Sequence, residues 1–189
     1  MSPLATVANT LFSIGALFVL ALALAIFIGI LFWRRGTFVR LVGKFARTAA
    51  LLASGAAPAS SLFYSEILHY PPCVLCWTQR ALIYPQFLLF LFINKIPVAK
   101  RYIAWRISLG LSSLGFLVAL YHYYIEQGGG ELFECAAFGP SCTSRFVYEF
   151  GFVTIPFMSL ALFGLLVVLY FARRSYLKSY PQENAGVSN

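Results

Sequence analysis

The sequence predicts an all-α membrane protein that crosses the bilayer five times. Hydrophobic residues make up 60% of the 189 residues, and charged residues make up 11%, with no aspartate. A soluble domain of this composition would lack enough polar surface to face water. Apolar stretches near the length of a bilayer-spanning helix recur along the chain, and basic residues lie between them. The net charge of +8 therefore indicates membrane orientation, not nucleic-acid binding.

Five apolar segments are expected to form the spans. The first, fourth and fifth are long apolar runs, whereas the third is short and contains Pro85, which favours a kink. The second is rich in alanine, serine and glycine and contains Pro58 and Glu66, so we expect it to pack against neighbouring helices rather than face lipid. The predicted spans are residues 10–32, 48–68, 76–94, 106–125 and 152–171.

The first span is expected to be an uncleaved anchor. No lysine or arginine precedes it, its apolar run is long, and five basic residues follow it. A secretory signal peptide has the opposite arrangement, with its positive charge before a shorter apolar core.

The distribution of basic residues predicts the orientation. Twelve of the 14 lysines and arginines lie in the first connection, the third connection and the C-terminal tail, and the positive-inside rule places these regions in the cytoplasm. They are Arg34, Arg35, Arg40, Lys44 and Arg47, then Lys95, Lys100, Arg101 and Arg106, then Arg173, Arg174 and Lys178. The N-terminus then lies outside. The connections at 69–73 and 126–150 lie on the outer face as well, and the longer one carries Glu126, Glu131, Glu134 and Glu149.

Both outer connections carry a pair of cysteines, in the compartment where disulfides persist. Cys73 and Cys76 follow Pro71-Pro72 and open the third span, where free backbone N–H groups and the helix dipole stabilise a thiolate. Arg80 lies one turn after Cys76 on the same face. A cation at that depth needs a task or a partner, so Arg80 could stabilise a thiolate or hold the carbonyl oxygen of a redox ring.

The second pair, Cys135 and Cys142, is separated by six residues. Gly139 and Pro140 permit a tight reversal, so the two sulfurs could reach bonding distance. A disulfide in such a loop should be accessible to a protein thiol, which makes this pair the candidate for meeting an external partner.

Other interpretations of the cysteines stay open. All four could be ligands of one zinc ion, or they could be structural disulfides that staple the loops of a non-catalytic membrane scaffold. The chain has no second Cys-x-x-Cys, and metal binding on the outer face competes with oxidation of the thiols, so we expect no metal. A thioredoxin-type domain is excluded because no βαβ pattern surrounds the motif. Outward transfer of reducing electrons is disfavoured, since no cysteine lies on the cytoplasmic side.

Residues 72–80, Pro-Cys-Val-Leu-Cys-Trp-Thr-Gln-Arg, resemble the Pro-Cys-x-Leu-Cys-x-x-Gln-Arg signature of the bacterial disulfide-bond formation proteins of the DsbB/BdbC family. Tyr121-His122-Tyr123 and the Gly-Phe-Val-Thr-Ile-Pro-Phe segment at 151–157 are similar to that family too. The resemblance covers residues 48–171. It implies a four-helix membrane domain at 48–172, with an additional N-terminal helix and a basic cytoplasmic loop at 1–47 and a cytoplasmic tail at 173–189. The second pair is spaced as in the shorter-loop branch of the family.

The resemblance also implies an activity, that of a thiol:quinone oxidoreductase in the bacterial cell (inner) membrane. A DsbA/BdbD-like thioredoxin-fold oxidase would pass electrons to a redox-active Cys135–Cys142 disulfide, and these would move to a redox-active Cys73–Cys76 disulfide. The final acceptor would be ubiquinone or menaquinone, bound beside Cys76 and Arg80. Gln79 and His122 are further candidates for quinone contacts, each set against a plain packing role.

Overall fold

Five α-helices form most of the chain that the computed structural model describes, which is residues 3–32, 36–130, 135 and 140–179. They are α1 (Pro3–Phe32), α2 (Thr37–Leu62), α3 (Val74–Leu91), α4 (Arg101–Glu126) and α5 (Ile155–Ser179). A π-helical turn, Phe63–Ile67, extends α2, and 3-10 turns at Ile93–Lys95 and Val98–Lys100 join α3 to α4. The described residues contain no strand beyond one isolated antiparallel bridge, Glu149 with Val153. The all-α prediction is confirmed.

Four helices, α1, α3, α4 and α5, are long and apolar enough to cross a membrane. The chain is therefore a multi-pass helical membrane protein. Helix α2 is not among the four, because its first three turns carry Arg40, Lys44 and Arg47 and much of the rest is alanine and serine. The predicted second span, at 48–68, and with it the total of five crossings, stays a prediction.

The predicted basic loop is largely helical, which corrects its boundary. Helix α2 starts at Thr37 rather than at residue 48, since Val39, Gly43 and Ala46 recur at helical spacing and are buried on one face. Helix α5 likewise continues into the predicted tail as far as Ser179. Of the basic residues in the first connection, Arg34 and Arg35 lie outside the described residues, as does the tail beyond 179.

Helix α5 is the centre of the bundle. It packs against α1, α2 and α4, while α3 packs against α2 and α4. Small residues make these contacts close: a Cβ on Gly115 would collide with the Phe163 ring, and a Cβ on Gly43 would collide with Tyr176. Such glycines let membrane helices approach without a hydrophobic driving force between them.

Two groups of buried polar side chains differ in how well their hydrogen bonds are satisfied. Between α3 and α4, the Gln86 Oε1 accepts hydrogen bonds from Ser108 Oγ at 2.7 Å and Ser112 Oγ at 2.8 Å. The Gln86 Nε2 donates to the backbone of its own helix, so this group is fully satisfied. On α1, Asn9 and Ser13 are equally buried but have no hydrogen-bond partner among the described residues. An unpaired amide in an apolar interior is costly.

Three consecutive glycines, at 128–130, follow the end of helix α4. Gly128 has a φ of +95°, a left-handed conformation that suits glycine. Its N–H donates to the Ile125 carbonyl at 3.0 Å, and the Gly129 N–H donates to the Tyr124 carbonyl at 3.0 Å. This glycine cap turns the chain out of α4 toward the second cysteine pair.

Candidate functional site

Cys73 is the N-cap residue of α3. Its backbone is extended, with φ −78° and ψ 175°, and its Sγ accepts a hydrogen bond from the Cys76 N–H at 3.4 Å. The sulfur thus occupies the position usually taken by a serine or aspartate oxygen, where free N–H groups and the helix dipole favour negative charge. The prediction that the first cysteine pair opens the third span is confirmed.

Cys73 and Cys76 are free thiols whose sulfurs lie 2.9 Å apart. Cys73 is buried, and Cys76 is half-buried. The hydrogen bond from the Cys76 thiol, followed by one from His122, lowers the pKa of the Cys73 thiol to about 4, although its burial acts in the opposite direction. These contacts favour the thiolate of Cys73 over its thiol, and the thiolate is the form that reacts in disulfide exchange.

A short hydrogen-bond chain orients His122 against Cys73. The Gln79 Nε2 donates to the His122 Nδ1 at 3.0 Å, so the proton of the ring lies on Nε2. That Nε2 is 3.7 Å from the Cys73 Sγ and 3.2 Å from the Cys142 carbonyl oxygen. One buried ring therefore donates toward both cysteine-bearing segments. The predicted contact of Gln79 and His122 with a quinone stays a prediction.

Cys135 and Cys142 form a disulfide, with their Cα atoms 5.8 Å apart. Both residues are buried, in one apolar cluster with Cys73, Leu75 and Ile125. The expectation that this disulfide is accessible is therefore wrong for the conformation seen. The structure gives the reason. The Cys142 carbonyl accepts from His122, and two guanidinium N–H groups of Arg145 donate to the Glu126 carbonyl, one of them at 2.9 Å, which fastens the loop to the end of α4.

Three predicted features of this loop lie outside the described residues. They are Gly139, which was expected to provide the reversal, and the acidic Glu131 and Glu134.

Arg80 is nearly buried one turn after Cys76. Its Nη2 donates to the Ser61 carbonyl at 2.9 Å, and its guanidinium lies 5.1 Å from the centre of the Trp77 ring. No carboxylate of the described residues pairs with it. The site thus contains a fixed positive charge with N–H groups left for a further acceptor.

These residues surround one cavity of about 320 Å³, which lies among all five helices. Its surface is mostly apolar, with a few converging polar groups, as in typical small-molecule sites. Of the predicted site residues, Cys135 alone does not line it; those that do are Cys73, Cys76, Gln79, Arg80, His122 and Cys142. Stacked rings of Tyr64, Tyr70 and Phe146, with centroid spacings of 5.9 Å and 5.0 Å, lie beside the cysteines.

Glu126 is a cavity residue that we did not predict as part of the site. It is 4% exposed, and its Oε2 has no hydrogen-bond partner among the described residues. Sequence contained one signal for it: Glu126 follows His122 by four residues, which places the two on the same face of a helix.

A metal could also be held by part of this site. The Sγ atoms of Cys73 and Cys76 and a ring nitrogen of His122 lie within 4.8 Å of one another. Thiolate and imidazole are ligands that zinc prefers. The zinc site with four cysteine ligands considered from the sequence would require the Cys135–Cys142 disulfide to be reduced first.

Comparison with known proteins gives a consistent result. A family model described as disulfide bond formation protein DsbB matches residues 43–173. A probable disulfide formation protein C of Bacillus cereus is 42% identical over 130 residues, which is 68% of this chain and 91% of that protein. The SPbeta prophage-derived disulfide bond formation protein B of Bacillus subtilis is 38% identical over 109 residues, 57% of this chain and 70% of that protein. The disulfide bond formation protein C of Bacillus subtilis is 34% identical over 113 residues, 57% and 77% respectively. No solved structure matches.

Proposed function

The chain belongs to the DsbB family of disulfide bond formation proteins, and we propose that it is a thiol:quinone oxidoreductase that reoxidises an extracytoplasmic thioredoxin-fold oxidase. Family membership gives it a role in disulfide bond formation. The quinone acceptor and the DsbA/BdbD-like partner are the proposed parts.

One observation supports this function best. A dithiol, Cys73 and Cys76, and a disulfide, Cys135–Cys142, pack in one cluster beside an apolar cavity. Arg80 lies on the cavity wall with N–H groups that suit a carbonyl oxygen. An apolar cavity with a donor of this kind fits the ring of ubiquinone or menaquinone, which is flat, apolar and edged by carbonyl oxygens.

In the first step, a thiolate of the reduced partner attacks the Cys135–Cys142 disulfide and forms a mixed disulfide. The second thiol of the partner then displaces the loop cysteine, so the partner leaves oxidised and both loop cysteines become thiols. Because the loop disulfide is buried, this step requires the loop to move away from the end of α4.

In the second step, a loop thiolate attacks the Cys73 sulfur of an oxidised Cys73–Cys76 pair. Cys76 leaves as a thiolate beside Arg80, which stabilises the negative charge. The other loop thiol then displaces Cys73, which restores the loop disulfide. The free Cys73 and Cys76 and the closed Cys135–Cys142 disulfide of the structure match the product of this step.

In the third step, the dithiol is oxidised again. A bound quinone supplies an acceptor for two electrons and two protons. Cys76 faces the cavity next to Arg80, so it is the sulfur placed for contact with the acceptor. His122 and Glu126 line the same cavity and are placed to hold or pass a proton.

The orientation belongs to the proposal as well, with the N-terminus outside, both cysteine pairs on the outer face of the bacterial cell membrane and the basic end in the cytoplasm. Contacts between the basic regions support a shared side. Arg47 donates to the Asn94 side chain, and Arg173 donates to the Gly43 carbonyl at 3.2 Å. The division into an N-terminal helix and basic region, a four-helix domain and a tail is proposed on the same basis.

The proposal is tested by quinone reduction in lipid nanodiscs, with a reduced thioredoxin-fold oxidase as electron donor and ubiquinone or menaquinone analogues as acceptors. We expect catalytic turnover with at least one quinone and complete loss in the Cys73→Ser variant. No turnover with either quinone, together with cysteine pairs that resist mild reductant, would favour the non-catalytic scaffold.

A further inference from the structure

The residues that line the cavity differ in how far they are exposed on the outside of the protein. On the α3 and α4 side, the lining residues Arg80, Ile83 and His122 are all buried. On the α1 and α2 side, three lining residues are exposed: Leu11 of α1 is 63% exposed, and Gly15 of α1 and Ala56 of α2 are exposed as well. Exposed lining residues mark the openings of a cavity. This cavity therefore opens between α1 and α2, and it also opens beside the cysteine loops, where the lining residues Pro71 and Ser144 are exposed.

The opening between α1 and α2 is apolar, and its edges carry no charged side chain. Besides Leu11, its edges are small residues, Gly15 on α1 and Ala56, Ala57 and Ser60 on α2. A Cβ built on Gly15 meets nothing within 4 Å, so space adjoins the helix at this point. The outer face of α1 beside it is apolar too, with exposed Ile14 and Phe18. An opening among such residues leads into the hydrocarbon of the bilayer rather than into water.

Helix α1 lines the cavity but lies outside the region that the family model matches. The family model begins at residue 43, so α1, which ends at Phe32, lies outside the matched region. The Bacillus cereus relative is matched over 91% of its own length by 68% of this chain. Nevertheless α1 packs against α5 and adds Leu11, Phe12, Gly15, Ala16 and Val19 to the cavity wall.

We propose that α1 and α2 form a lipid-side passage for the apolar tail of the quinone, so that α1 selects long-tailed, membrane-dissolved quinones. The inference rests on the proposed function. With the ring beside Cys76 and Arg80, the opening past Gly15 and Ala56 is the route by which a tail reaches lipid.

The test narrows the passage by one side chain. Gly15→Phe adds a ring beside the opening, at a position where an added Cβ meets no heavy atom within 4 Å. Gly110→Phe is the matched control, because Gly110 is another exposed helical glycine with nothing within 4 Å of an added Cβ, and it does not line the cavity. KM is measured in nanodiscs for two acceptors with the same ring, one with a single isoprenoid unit and one with a long isoprenoid tail.

We expect Gly15→Phe to raise KM for the long-tailed acceptor about tenfold and to leave the short-tailed acceptor within about twofold, a discrimination typical of shape changes in apolar pockets. Gly110→Phe should match the unsubstituted protein with both. Equal effects on both acceptors, or none, would overturn the passage. Absence of turnover in the unsubstituted protein would instead refute the proposed function.

A second variant protects the test against misfolding. Ala56→Phe narrows the same opening from α2 and should show the same selective rise in KM. Folding of each variant is checked by size-exclusion chromatography and by the intact Cys135–Cys142 disulfide. If Gly15→Phe does not fold, the acceptor selectivity of Ala56→Phe decides the matter, and an unchanged selectivity overturns the inference.

Discussion

The two cysteine pairs lie side by side but differ in backbone setting and in the groups around their sulfur atoms. Cys73 and Cys76 stand at a helix start, face polar donors and line a cavity, and they are reduced. Cys135 and Cys142 lie in a connection, are enclosed by apolar side chains and are bonded to each other. A thiolate requires donors and a favourable dipole, whereas a disulfide is uncharged and loses nothing in an apolar cluster. The surroundings therefore assign the reactive thiolate to one pair and the stable disulfide to the other.

This difference also separates two tasks. In the proposed function, the first pair needs a fixed cation and a bound acceptor, and it lies within the helical bundle beside Arg80. The second pair would meet another protein, and it lies on a connection that hydrogen bonds of His122 and Arg145 fasten to the bundle. Each prediction below tests whether the two pairs are as different in chemistry as in setting.

The largest expected effect comes from removing one cysteine of the first pair or both of the second. Cys76→Ser and the double variant Cys135→Ser with Cys142→Ser should both lose at least about 1,000-fold of turnover with the protein donor, since residues that act as a unit fail together. With dithiothreitol as donor, the double variant should still reduce quinone, because the first pair does not need the loop. Quinone reduction by Cys76→Ser with dithiothreitol as donor would contradict the assignment of the first pair as the one that reduces the quinone.

Arg80→Ala should have the next largest effect, a loss of roughly 100-fold in quinone reduction with dithiothreitol as donor, because it removes a charged donor from the cavity. Arg80→Lys should fall between the two, since it keeps the charge but loses the planar fork. The rate of exchange between the loop disulfide and the partner, measured by trapping the mixed disulfide, should stay unchanged in both Arg80 variants. Arg106→Ala is the control, because Arg106 lies near the start of α4, away from His122 near its end, and does not line the cavity. Equal losses of quinone reduction in Arg80→Ala and Arg106→Ala would refute the role of Arg80.

The smallest effect concerns pH. Because the pKa of Cys73 is lowered to about 4, its thiolate is present above that pH and is lost as the pH falls through it. In fully reduced protein, alkylation of Cys73 by iodoacetamide should therefore stay constant from pH 6 to 8, whereas an ordinary thiol reacts about tenfold faster per unit over this range. Site-resolved mass spectrometry measures both pairs in one sample. His122→Leu removes a donor and should move the Cys73 profile to higher pH. If the alkylation rate of Cys135 were independent of pH as well, the position of Cys73 at a helix start would not be the cause of its constant rate.

Sequence predicted the site well where chemistry is local. Pro71-Pro72 followed by an apolar run places Cys73 at a helix start, and the spacing of four places Arg80 beside Cys76. These inferences need only helix geometry. The pairing of Cys135 with Cys142 follows in the same way from a short separation.

Sequence failed where the answer depends on contacts between distant segments. Helix α1 is apolar on all sides, so its pattern does not show which face lines a cavity or packs on α5. Burial of the loop disulfide depends on hydrogen bonds from His122 and Arg145, which no local pattern specifies. The helical start of α2 was missed because basic residues were read as a loop, although Val39, Gly43 and Ala46 form a buried face.

The hydrogen bonds between α3 and α4 have a consequence for the precision of the site. Gln79 binds His122 near one end of the helix pair, and Gln86, two turns further along α3, binds Ser108 and Ser112. With two such links at different depths, neither helix can rotate or slide alone. A shift of a single residue would turn α3 by about 100° and carry Cys76 away from the cavity. Hydrogen bonds inside the helical bundle thus determine the direction in which a sulfur near one end of it points.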